Sequence, residues 1–258
     1  MHAQPTIGIL GGMGPKAGLD LFQAVMDNTL ATRDQDHVPT LLWSAAHVPD
    51  RTAFLLQGAG NPAEGTLRDP APPMGRALVQ LAGAGATTAA VACNTAHAEP
   101  IFRRVQEHVR QSAPGLTLLH MIHETVASIS GRKIGLLATA GTYRLRLYDD
   151  ALAKAGFTAI LPSEDIRENH LFPAIYDPES GIKAASSPVT DRAREAVALA
   201  IEHLLGRGAE RVILGCTELP LAVGGHHALH PYVINPTRIV ARALIRATFP
   251  HRLKPNPC

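Results

Sequence analysis

Two short signatures each occur twice in this chain, in the same order and at nearly the same interval. Ile7-Gly8-Ile9-Leu10-Gly11 returns as Ile134-Gly135-Leu136-Leu137-Ala138, and Ala92-Cys93-Asn94-Thr95 returns as Gly215-Cys216-Thr217-Glu218. Recurrence of two features at one spacing is the mark of a duplicated structural unit. Around the signatures, apolar runs alternate with amphipathic stretches. The pattern predicts strands over 6–10, 38–45, 87–92 and 117–120, and again over 133–138, 157–161, 211–215 and 232–234. Helices are expected over 16–30, 74–82, 99–111, from 139 to about 155, 191–205 and 237–248, with Pro15 suited to the first turn of the first. Strands that alternate with helices build parallel sheets. The expected fold class is therefore α/β: two similar doubly wound parallel-sheet domains related by a pseudo-twofold axis, with the active site in the cleft between them. The boundaries expected are 1–117 plus 227–258 for the first domain and 118–226 for the second.

Composition narrows the functional classes. Of 258 residues, 46% are hydrophobic and 18% charged, and the net charge is only +2. That balance supports a packed core and argues against a nucleic-acid stripe or a polybasic membrane patch, so the expected partner is a small molecule. Three cysteines, at 93, 216 and 258, fall in no compact metal spacing. An odd and sparse set, with no basic and apolar leader at the start, fits a reducing cytoplasm and no disulfide framework. The 58–73 stretch, rich in Gly and Pro, reads as a functional flap.

In open parallel sheets, ligands bind beyond the carboxyl ends of strands. Both Gly-containing turns and both cysteines are predicted to lie at such ends. Inverting a stereocentre by proton transfer needs a base on one face and an acid on the other, and a thiol can serve as either near neutral pH. Cys93 and Cys216 are thus candidates for a two-base pair. The carbanionic state needs hydrogen-bond donors, and Asn94, Thr95, Thr139, Thr142 and Thr217 are placed to supply them. The Gly12-Met13-Gly14 turn would shape the floor of the site and bring Met13 near substrate. Gly12, Gly14 and Ala17 superficially fit a dinucleotide fingerprint, but the second strand ends without an acidic residue for a ribose. His97 reads as a helix-start group rather than a base. Glu218 stands two residues after Cys216 and is grouped with the substrate-binding residues.

Five segments together resemble the aspartate/glutamate racemase family. They are Ile7-Gly8-Ile9-Leu10-Gly11-Gly12-Met13-Gly14-Pro15, Pro49-Asp50-Arg51-Thr52, Cys93-Asn94-Thr95-Ala96-His97, Gly181-Ile182-Lys183 and Leu214-Gly215-Cys216-Thr217-Glu218-Leu219-Pro220. The resemblance implies a cofactor-independent amino-acid racemase acting on aspartate or glutamate, with Cys93 and Cys216 as the acid/base pair and neither metal nor pyridoxal group. It also implies that Arg51 and Lys183 hold the side-chain carboxylate of an acidic substrate, and that the enzyme is a homodimer. Ala92, Ala184 and Asn235 stand where the family more often has Pro, Gly and Asp, which leaves the preferred amino acid open. The alternatives on the same scaffold are a broad-specificity racemase or a maleate-isomerase-like enzyme in which one cysteine attacks carbon. A non-enzymatic ligand binder or thiol redox sensor is the alternative outside catalysis.

Overall fold

A computed structural model describes residues 4–57, 68–224 and 228–255. The described residues contain two four-stranded parallel sheets. The first holds β1 (Ile7–Gly11), β2 (Thr40–Ser44), β3 (Thr88–Val91) and β4 (Thr117–Leu119) in the order β2-β1-β3-β4. The second holds β5 (Lys133–Ala138), β6 (Thr158–Ile160), β7 (Arg211–Gly215) and β8 (Val233–Ile234) in the order β6-β5-β7-β8. The two orders are the same pattern, so the repeat seen in the sequence is a repeat of topology.

The central strands explain why the apolar runs are continuous. Every residue of β1 and β3 is buried, as is β5 after Lys133, whereas β2 and β4 at the edges are partly exposed. Strands covered by helices on both faces must be apolar on both faces. Helices supply the covering stripes. Helix Glu99–Ser112 buries Ile101, Phe102, Val105 and Val109, and helix Asp191–Gly206 buries Ala193, Val197, Ala200, Ile201 and Leu204. These positions recur at helical spacing. Thr190 caps the second of them, its hydroxyl accepting the Ala193 N–H at 3.3 Å. In the first sheet, helix Pro15–Asp27 lies so close to β1 that a Cβ on Gly11 would meet the Gly18 Cα at 2.9 Å.

The chain divides into Met1–Glu124 with Thr237–Cys258, and Thr125–Pro236. These boundaries differ from those expected at 117/118 and 226/227, and strand pairing gives the reason. β4 pairs with β3 and so carries the first unit past residue 117, while β8 pairs with β7 and so keeps the second unit together through residue 234. Helix Pro236–Thr248 then returns to the first core, where Val240, Ala241, Leu244 and Ile245 pack with Ile7, Ile9, Leu21 and Val25.

One expected helix and the end of one expected loop differ in the structure. The single helix expected from 139 to about 155 is two, Ala140–Arg144 and Leu147–Lys154, because Arg146 between them adopts a left-handed conformation with φ 52°. Of the expected flap over 58–73, residues 58–67 lie outside the described residues, and residues 71–73 open helix Ala71–Gly83. Helices Arg51–Gln57 and Met121–Ser128 went unpredicted. No helix among the described residues is long and apolar enough to cross a membrane.

Candidate active site

The strand order reverses next to β1 in the first sheet and next to β5 in the second, and the segments that follow the strands at those points carry the candidate residues. Register makes the correspondence close. Gly8 of β1 pairs with Ala89 of β3, and Gly135 of β5 pairs with Val212 of β7. Cys93 and Cys216 each follow four residues after those partners, just beyond the carboxyl ends of β3 and β7. Both cysteines are buried and neither is in a disulfide.

In the first unit, Cys93 leaves β3 and the chain turns through the short 3-10 helix Thr95–His97. Asn94, Thr95 and His97 are all buried. His97 Nδ1 donates to the Cys93 carbonyl oxygen at 2.8 Å. The imidazole stacks on Phe102, with centroids 4.7 Å apart, and its centroid lies at the same distance from that of His120. Burial pushes the His97 pKa down to about 4, so this ring is neutral at physiological pH. His97 therefore anchors the backbone of the cysteine turn. Its link to Cys93 was not legible in the sequence beyond its place at a helix start.

The turn after β1 is held by a residue from another element. Arg51, at the start of helix Arg51–Gln57, donates through Nη2 to the Met13 carbonyl at 3.0 Å. Its Nη1 donates to the Pro49 carbonyl at 3.0 Å and the Val48 carbonyl at 3.4 Å. Met13 itself is buried. The guanidinium thus ties the Met13 turn to the segment after β2, in addition to any charge it offers a ligand. Gly12 has φ 92°, and a Cβ there would meet the Ala45 backbone nitrogen at 2.4 Å, so only glycine fits.

In the second unit, Thr139 follows β5 and caps helix Ala140–Arg144. Its hydroxyl oxygen accepts the Thr142 N–H at 3.3 Å and lies 3.0 Å from the Thr142 hydroxyl. Tyr143, which sequence reasoning missed, pins the end of β5. Its hydroxyl donates to the Leu136 carbonyl at 2.9 Å and accepts the Ala138 N–H at 3.0 Å. Beyond β7, the Cys216 thiol donates to Glu218 Oε2 at 3.0 Å, and the Thr217 hydroxyl donates to the same oxygen at 3.2 Å. Glu218 Oε1 lies 3.4 Å from Lys183 Nζ. Lys183 sits outside helix and strand, its N–H bonded to the Ile175 carbonyl at 3.2 Å. Burial, and then the charge of Glu218, push the Cys216 thiol well above its ordinary range, while Lys183 acts in the opposite direction. Cys216 is a protonated thiol in this arrangement.

Among the described residues, no group of three or more His, Cys, Asp or Glu side chains is placed to hold a metal ion. The first unit offers a buried thiol with an amide, a hydroxyl and the Arg51 cation, and the second a buried thiol with hydroxyls, a carboxylate and the Lys183 cation. A duplicated α/β protein with one thiol at the switch point of each sheet is the class these features define. The sequence profile of the Asp/Glu/Hydantoin racemase family matches residues 10–244, and the chain belongs to that family. It is similar to the glutamate racemase of Ectopseudomonas mendocina, 26% identical over 98% of this chain and 85% of the relative. It also matches the glutamate racemase of Deinococcus radiodurans at 31% identity, over 59% of this chain and 49% of that relative's length. The aspartate racemase of Picrophilus torridus shares the fold, with a TM-score of 0.74 and 24% identity over 95% of this chain and 94% of that one.

Proposed function

We propose that this protein racemises an amino acid, aspartate or glutamate in preference, with Cys93 and Cys216 as its two proton-transfer groups. The observation that carries the reading is the shared register of the two buried cysteines at the ends of β3 and β7. Membership of the racemase family supports it, as do the glutamate racemases and the aspartate racemase that the chain resembles. In this mechanism one cysteine, as thiolate, removes the α-proton. The other, as thiol, returns a proton to the opposite face, and the reverse reaction exchanges the roles. The α-proton is much less acidic than a thiol, so the carbanionic state must be stabilised. Asn94, Thr95, Thr139 and Thr142, all buried beside the strand ends, supply donors for that purpose, and Thr217, whose hydroxyl donates to Glu218, lines the site beside them. Arg51 and Lys183 supply the positive charge for a side-chain carboxylate, and Met13 contributes apolar surface. The reading requires no cofactor, and it includes a homodimer from the family resemblance and a cytoplasmic setting from the sparse cysteines.

The test is direct. In deuterium oxide, without added cofactor, the protein is expected to replace the α-hydrogen of aspartate or glutamate and to interconvert the enantiomers on a chiral column. Cys93→Ala and Cys216→Ala are each expected to lower inversion by about 10²–10⁴-fold, the usual contribution of a positioned acid or base. Full activity in either variant would overturn the two-base mechanism. Consumption of maleate with no α-hydrogen exchange would replace the reading with an isomerase that uses one cysteine as nucleophile.

A further inference from the structure

The cysteines occupy matching places, but the residues that follow them do not match. Asn94 and Thr95 follow Cys93, whereas Thr217 and Glu218 follow Cys216, so Glu218 stands where the first unit has Thr95. The carboxylate faces the thiol. Cys216 Sγ lies 3.0 Å from Glu218 Oε2, and the Thr217 hydroxyl donates to the same oxygen at 3.2 Å. The other oxygen, Oε1, is 3.4 Å from Lys183 Nζ. Exposure rises along this row: the Cys216 thiol is buried, the Glu218 side chain is 5% exposed, and that of Lys183 is 33% exposed. An ionised carboxylate only accepts hydrogen bonds, so the hydrogen between Sγ and Oε2 belongs to sulfur.

We propose that Glu218 makes the two cysteines unequal: it holds the proton on Cys216, so that the resting protein presents Cys216 as its acid, and with Lys183 it forms the path by which that buried thiol regains a proton. The inference rests on Cys216 being one of the two proton-transfer groups. When Cys216 gives its proton to the α-carbon, a C–H bond forms and sulfur keeps the electron pair as thiolate. That thiolate then lies beside the Glu218 carboxylate, and two like charges at this distance favour reprotonation. Glu218 takes a proton from the Lys183 ammonium and passes it to sulfur, and Lys183 recovers one from water. This recharging takes one proton from solvent, and Cys93 gives up to solvent the one it took from the α-carbon, so the turnover is neutral. Glu218 acts through Cys216 and is a positioning residue for its proton, not a group that touches substrate. The charged groups facing Cys216 within its unit are Glu218, which holds its proton on, and Lys183, which opposes it.

The experiment follows iodoacetamide labelling of Cys216 from about pH 6 to about pH 12, quantified on the Cys216 peptide by mass spectrometry so that labelling at Cys93 and Cys258 is read separately. Glu218→Gln removes the charge and is expected to lower the labelling midpoint by about one pH unit, making Cys216 label about tenfold faster at pH 8. Lys183→Met is expected to move the midpoint the other way, which keeps the test open if Glu218→Gln fails to fold. Because the midpoint is a titration, a purely structural role for Glu218 would alter the labelling rate without shifting it. An unmoved midpoint in Glu218→Gln, or a lowered one in Lys183→Met, would overturn the inference. α-Hydrogen exchange by the wild type in deuterium oxide separates the two claims. Exchange with an unmoved midpoint overturns the proton-holding role alone. A shifted midpoint with no exchange overturns the racemase reading and leaves the role of Glu218 in place.

Discussion

Cys93 and Cys216 end strands of the same rank in the same register, yet they meet different chemistry. Cys93 is followed by an amide and a hydroxyl, and its carbonyl is anchored by the neutral imidazole of His97. Cys216 is followed by a hydroxyl and a carboxylate that takes its S–H. The residue four positions past Cys93 is His97, and four past Cys216 it is Pro220. A repeated topology dictates where a side chain stands. The one or two residues beside it dictate how tightly it holds a proton, and these can differ between halves without disturbing the frame.

Acid should break the comparison most strongly. The unfolded chain protonates His97 near its ordinary value of 6.5, whereas the folded chain does so only near 4. Between those values the unfolded state holds the extra proton, so stability falls as pH drops from about 6.5 to about 4, and this contribution is fully present above that window. His97 alone accounts for a loss of about 3 kcal/mol across the window. His120, pushed down to about 2 by burial and by the neighbouring His97 and His123, adds a loss in the same direction. Denaturant melts against pH should show the first unit failing first. His97→Gln should remove about 3 kcal/mol of that acid sensitivity, and an unchanged acid limb would refute the assignment.

A smaller effect sharpens the comparison at the turns. Gly12 and Thr139 stand four residues past Gly8 and Gly135, the paired glycines of the two sheets. The first must lack a Cβ, and the second uses its side chain as a cap. Gly12→Ala is expected to cost about 2 kcal/mol or more, from a left-handed backbone and the contact with Ala45. Thr139→Ala should cost about 1 kcal/mol, the usual value of a lost cap, and Thr139→Ser almost nothing. Thermal unfolding of the three variants checks the order. Equal losses for Gly12→Ala and Thr139→Ala would mean that the two turns are interchangeable after all.

The parts of this structure that could be read from sequence are those set by periodicity. β5 and β7 have the bounds expected of them because each is an apolar run opened by one cation and closed by a turn. The repeat placed both cysteines at strand ends, since spacing alone carries that information. The break at Arg146 was hidden because nothing in an Arg signals a left-handed backbone. The sequence shows the charge of Arg51, but its three bonds to the Val48, Pro49 and Met13 carbonyls depend on chain segments brought together only by the fold. Glu218 was visible beside Cys216, and a role with substrate was the natural reading. Its hydrogen bond to the thiol depends on how the chain turns after β7, which two adjacent letters do not specify.

The crossing of helix Pro236–Thr248 back into the first unit also sets an order of assembly. By the time synthesis has passed residue 236, all four strands of the second sheet exist on one uninterrupted piece of chain. The first core at that moment still lacks Val240, Ala241, Leu244 and Ile245. Domains fold as units as the chain emerges from the ribosome. Here the half that begins first is the half that must wait, its core holding Leu21, Val25 and Met121 but incomplete until the last long helix arrives.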